Sequence, residues 1–135
     1  MKFIILLAVL FAIASPDSNA QNKKLDSLYA VLNNHTQEDT NRVNTLIRAC
    51  YYEYTSYPEK NKQHAEEAKR ISEKIKFTKG IGLSLRYISL YYWVKGDYEQ
   101  AADFAFRMLK VFEDQGNEDG LAKSYTLIGL IHEEW

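Results

Sequence analysis

Displaced by 40 positions, this sequence aligns with itself without a gap. Val43, Leu83 and Lys123 share one column, and Thr45, Leu85 and Tyr125 share another. Ala49, Ser89 and Gly129 form a column of small residues, followed by Cys50, Leu90 and Leu130. Tyr52, Tyr92 and His132 put a ring three residues after the small position. Later in the unit, Ala65 matches Ala105, Ile71 matches Val111 and Gly80 matches Gly120. A period of this size marks a stacked array, because one unit cannot bury its apolar face alone and neighbours must cover one another.

Each unit reads as two helices, and the expected fold class is all-α. In the middle unit, residues 81–120, the first helix covers about Ile81 to Val94 and the second about Tyr98 to Gln115. Lys95-Gly96-Asp97 makes the turn: Gly96 takes the left-handed conformation that ends a helix, and Asp97 caps the next. Gly116-Asn117 closes the unit, and the next helix starts near Glu118 or Asp119. In the first unit, residues 39–80, Asp39 or Thr40 caps a helix reaching about Ser56, and Pro58 sits in the first turn of the next, where its missing N–H does no harm. That second helix ends near Ile75, and Gly80 ends the unit. Residues 21–38 hold a capping helix and linker, with Leu25, Leu28, Tyr29 and Leu32 as an i, i+3, i+4, i+7 stripe over Lys24 to Leu32. The small column, with Ala101 in the second helix, lets paired backbones approach, and Tyr52 or Tyr92 fills the space beside it. Residues 121–135 supply only the first helix of a third unit, whose apolar side, including Leu127, Ile128 and Ile131, is expected to lack its cover. Two readings stay open: a longer array, or homo-oligomerisation through that repeat.

The segment Trp93-Val94-Lys95-Gly96-Asp97-Tyr98-Glu99-Gln100-Ala101 resembles the turn of a tetratricopeptide repeat (TPR). The family's pattern is a small residue as at Ser89, an aromatic as at Tyr92, then Gly96, Asp97, Tyr98 and a small residue as at Ala101. The resemblance covers Asp39 to Trp135, with a period of 40 in place of the usual one of about 34. The first unit is degenerate, with Asn61 at the small position and Tyr57-Pro58-Glu59 in place of Gly-Asp-Tyr. The longer unit is similar to the arrays of bacterial signalling proteins. Leu25-Asp26-Ser27-Leu28, followed by Asp39-Thr40-Asn41-Arg42-Val43-Asn44, is similar to the start of exported TPR sensor regions that precede a membrane helix and a histidine kinase or DNA-binding domain.

The resemblance implies a right-handed α-solenoid of antiparallel helix pairs that binds a protein or peptide. Its concave groove would be lined by Val43, Leu46, Cys50, Glu53 and Tyr54, then Leu83, Arg86, Tyr87, Leu90, Trp93 and Val94, then Lys123, Thr126, Leu130, Glu133 and Glu134. Arg86 and Lys123 would meet an acidic group, and Tyr87 and Trp93 an apolar side chain. Cys50, Leu90 and Leu130 stand where a carboxylate clamp needs asparagine, which argues against that ligand mode. Catalysis is not expected. His35, His64 and His132 lie far apart, and His64-Ala65-Glu66-Glu67 lacks the second histidine of a zinc helix and reads as a solvated face. No cofactor motif is evident. The net charge of -1, with both signs interspersed, offers no basic face for nucleic acid.

The N-terminus has the three parts of a secretory signal peptide: Lys2, the apolar run Phe3 to Ala14, and small residues at Ser18 and Ala20 after the helix-breaking Pro16. The run is shorter than the roughly 20 residues that span a bilayer. Residues 1–20 are therefore read as a signal peptide and the product as periplasmic or secreted, with no membrane-spanning segment in the mature chain. Cys50 is the only cysteine, so no internal disulfide forms. An exported product begins at Gln21; the intact mass of the secreted chain checks this, and a mass retaining residues 1–20 refutes it.

Overall fold

The computed structural model describes residues 16–135. They form six helices: α1 Pro16–Asn34, α2 Thr40–Glu53, α3 Pro58–Lys74, α4 Thr78–Val94, α5 Tyr98–Gln115 and α6 Glu118–Glu134, with no strand among the described residues. Links of two to five residues force consecutive helices to fold back on one another. Each helix packs on the next. In addition α2 touches α4 and α4 touches α6, whereas the backbones of α1, α3 and α5 stay apart, and α1 meets α3 through side chains such as Tyr29 and His64.

Local chemistry sets the helix ends. Asp39 accepts from the Arg42 N–H at 2.9 Å, Asp97 from the Gln100 N–H at 3.1 Å, and Asn117 from the Gly120 N–H at 2.9 Å. Asn117, expected in a closing turn, thus caps α6. Gly96 and Gly116 hold φ of 77° and 62° at helix C-termini, in the left-handed region. Lys76 stands 40 residues before Gly116 and adopts φ 58°, at a cost of about 1 kcal/mol for a residue with a Cβ. The return bonds repeat with it: Phe77 N–H donates to the Ser72 carbonyl at 2.8 Å, and Asn117 N–H to that of Phe112 at 3.0 Å.

This corrects the expected boundary at Gly80. The reversal happens at Lys76, so α4 starts at Thr78, and Gly80 is buried in its first turn. A Cβ on Gly80 would collide with Ser72 and stand 2.7 Å from Phe77. Gly82 and Gly120 both face the ring of Phe112, which is 1% exposed and wedged where α4, α5 and α6 meet. Glycine is used here for closeness of approach. The first helix of the first unit also stops at Glu53, short of Ser56.

The repeat extends further upstream than the periodic columns suggest. Leu25, Leu28 and Leu32 stand 40 positions before Ala65, Ala68 and Ser72, and 80 before Ala105, Met108 and Phe112; all nine are buried. Helix α1 is accordingly longer than the expected Lys24–Leu32 and takes in Ser18 to Gln21. The apolar run Phe3 to Ala14 lies outside the described residues. No described helix is long and apolar enough to cross a membrane.

The small column divides. Ser89 is buried and donates its Oγ to the Ala101 carbonyl at 2.6 Å. Ala49 packs against Leu25 and Leu28 of α1. Tyr92 stacks on Phe104 with centroids 5.5 Å apart, and Tyr52 and Tyr98 are half-buried. Asn61, at the position of Ala101, is fully buried and donates to the Tyr87 carbonyl at 3.0 Å, so its extra bulk ties α3 to α4. Gly129 departs from expectation. It is exposed, with open space where a Cβ would stand, because no described helix covers that side of α6. Leu127 and Ile131, expected to be uncovered, are buried in the main core, and only Ile128 of the three is half-exposed.

Two substitutions separate crowding from backbone freedom. Gly120→Ala is expected to destabilise by about 2 kcal/mol through overpacking against Phe112. Gly129→Ala is expected to stabilise by roughly 0.5–1 kcal/mol, since it adds helix propensity and meets nothing. Denaturant midpoints of the two variants check this ordering.

Candidate functional site

Because α2, α4 and α6 touch in succession, one side of each can contribute to a common surface. A cleft of about 120 Å³ lies there, lined by Tyr51 from α2 and Tyr54 just past its end, Arg86, Tyr87 and Leu90 from α4, and Thr126, Leu127 and Leu130 from α6. The spacing explains the set: 86, 87 and 90 fall on one helical face, and 126, 127 and 130 repeat it 40 positions later.

The cleft is mainly apolar and aromatic around one cation. The Arg86 guanidinium carbon lies 6.0 Å from the centroid of the Tyr87 ring, and Arg86 forms no ion pair among the described residues. Its Nε is buried without a hydrogen-bond partner. Burial pushes the Tyr87 hydroxyl up to about 12, so it stays protonated. An unpaired guanidinium among tyrosines can take a carboxylate while the leucines accept an apolar side chain.

Of the residues placed in a groove by sequence, Tyr54, Arg86, Tyr87, Leu90, Thr126 and Leu130 line this cleft. Val43, Leu46, Cys50 and Glu53 do not reach a surface, each being 0% exposed. Leu46 packs with Leu32, Ala68 and Ile71, and the Cys50 thiol points at the Asn61 carbonyl, 3.5 Å away. Burial, with the Glu53 charge behind it, holds the Cys50 thiol well above its ordinary range, so it is a core residue and no nucleophile. Leu83 and Val94 are half-buried, and Trp93 packs into the main core with its indole N–H buried and unpartnered. Lys123 pairs with Asp119 one turn earlier and stands outside the cleft, as do the exposed Glu133 and Glu134. Tyr51 and Leu127 are lining residues the sequence reading missed. Tyr51 neighbours Tyr52 and was overshadowed by the packing column, although its i, i+3 relation to Tyr54 marks it.

A second polar constellation was also missed. His64 is half-buried, contrary to its reading as part of a solvated face. Its Nδ1 stands 2.9 and 3.0 Å from the two oxygens of the buried Glu53 carboxylate. The Tyr29 hydroxyl donates to the same carboxylate at 2.6 Å, and its pKa is raised by burial and by that bond. Three helices, α1, α2 and α3, thus converge on one buried charge. The 11-residue interval between Glu53 and His64 spans a turn, so no helical or strand period announces the pair.

The described residues hold no group of three His, Cys, Asp or Glu side chains placed to share a metal ion. No protein-family model, no curated protein and no solved structure matches the chain.

Breaking the buried pair is costly, because the remaining carboxylate keeps its desolvation penalty. His64→Ala is expected to lower stability by about 2–3 kcal/mol, the cost of leaving a buried carboxylate short of one hydrogen bond. Chemical denaturation checks this; a loss below about 1 kcal/mol would show that the carboxylate finds another partner.

Proposed function

We propose that this chain is a non-catalytic binding module of the tetratricopeptide-repeat type, and that the cleft of α2, α4 and α6 receives a protein or peptide ligand. The observation that carries the reading is the cleft itself: equivalent faces of alternate helices meet around Arg86, a cation without an ionic partner among the described residues. In support, α1, α3 and α5 bury the same register positions, and α2, α4 and α6 touch only in succession. That pattern fits a solenoid in which α1 takes the place of a second helix before the first complete pair. At about 120 Å³ the cleft suits one or two side chains of an extended or helical segment. The ligand chemistry that matches it joins a carboxylate to a neighbouring aliphatic or aromatic group. With residues 1–20 read as a signal peptide, the module works after export, as the sensory or scaffolding part of a signal-transduction protein.

Peptide display against the chain tests this. Enriched peptides are expected to pair Asp, Glu or a terminal carboxylate with an apolar residue. Arg86→Ala and Tyr51→Ala should each weaken the best peptide by roughly tenfold, about the worth of one charge-assisted bond or aromatic anchor. Arg107→Ala, on an exposed position of α5, should leave it unchanged. Absence of enrichment, or binding insensitive to both cleft substitutions, refutes the proposal.

A further inference from the structure

Between α1, α2 and α3 lies an open cavity of about 370 Å³ that shares no residue with the cleft. Its polar lining is Asn33 from α1, Arg42 from α2, and Lys60, Gln63, His64 and Glu67 from α3, with the Tyr29 ring beside them. Three nitrogens there have unspent hydrogen-bonding capacity. Lys60 forms no ion pair among the described residues, and its Nζ lies 4.9 Å from the centroid of the Tyr29 ring. Arg42 spends its Nε on Glu67 at 2.7 Å and its Nη1 on the carbonyls of Leu32 and His35, which leaves Nη2 without a partner among the described residues. His64 spends Nδ1 on Glu53, and its Nε2 is likewise unpartnered.

The buried carboxylate decides what His64 offers. An ionised carboxylate only accepts, so Nδ1 carries a hydrogen toward Glu53, and the tilted Tyr29 ring, 5.8 Å from the imidazole, steadies the plane. Nε2 can then donate outward only if the ring carries a second proton. The charged groups around the imidazole are Glu53 and Arg42 on α2 and Lys60 and Glu67 on α3; the titratable but neutral Tyr29 on α1 stands beside them, with Asp26 and Tyr57 near that tyrosine. The one lining carboxylate, Glu67, is already engaged by Arg42.

We propose that this cavity binds a small organic oxyanion, a carboxylate or phosphate group held by Lys60 Nζ, Arg42 Nη2 and His64 Nε2–H, with the amides of Asn33 and Gln63 at its margin. Because Nε2 donates only from a ring that also keeps its Nδ1 hydrogen on Glu53, binding is coupled to proton uptake and weakens as pH rises. The space, about 370 Å³ and open to solvent, leaves room for an organic group beside the oxyanion.

Imidazole proton resonances of His64, identified by their loss in His64→Gln, can be followed in the full chain against succinate and inorganic phosphate. Sodium chloride at matched ionic strength is the control. The expected result is a saturable shift whose half-saturating ligand concentration rises as the pH is raised. Lys60→Ala and Asn33→Ala, both at exposed positions, leave the fold intact; Lys60→Ala should weaken the response by roughly tenfold, the loss of one charged contact. A response to either oxyanion supports the site, and the stronger one identifies the group. No saturable shift, an equal shift from chloride, or binding indifferent to pH or to Lys60→Ala overturns it.

Discussion

Helix α4 is buried on most of its circumference, and that burial organises the rest of the molecule. Gly80, Gly82, Ser84, Leu85, Tyr87, Ile88, Ser89 and Leu90 are all below the surface. One helix can do this only if its neighbours on both sides come close, and close approach needs small residues where the backbones cross. Gly80 admits Ser72 and Phe77 from the α3 side, Gly82 admits Phe112 from α5, and Ser89 meets the Ala101 carbonyl. Phe112 is seated between Gly82 and Gly120, so one ring, worth roughly 2–3 kcal/mol of burial, joins three helices. The cleft residues Arg86, Tyr87 and Leu90 ride on this same helix, so their placement is inherited from its packing.

The N-terminal part is organised differently. Its apolar clusters are smaller, and its helices converge on a buried charge at Glu53. Tyr29 and His64 satisfy that carboxylate from α1 and α3. Such a pair adds little net stability over an apolar core, yet it penalises misplacement of either helix, because a slipped helix leaves the charge unpaired. The same bond turns the other side of the imidazole toward a cavity, so a structural tie also shapes a surface.

The two regions meet at Asn61. In the second unit the equivalent Ala101 simply makes room, whereas Asn61 spends its amide on the Tyr87 carbonyl. A departure from the repeat pattern therefore works as a bridge between the charged region and α4. Its Oδ1, along with the Ser72 hydroxyl, has no partner among the protein atoms.

What the sequence determined by itself was the local and the periodic. The 40-residue register, the helical class, the caps at Asp39 and Asp97 and the helix start at Pro58 follow from short-range chemistry that a linear chain displays directly. It also marked six of the eight cleft residues, because a helix face is a matter of spacing. Tertiary structure decided which periodic positions reach a surface. Leu46 shares the register of the cleft residue Arg86, yet it is 0% exposed and packed against Leu32, Ala68 and Ile71. Gly129 shares the register of Ser89 and stands open. The partnership of Tyr29, Glu53 and His64 was likewise invisible, since it joins three helices across two turns. Periodicity reports the direction in which a side chain leaves its own helix; what it meets there depends on which other helix occupies that space.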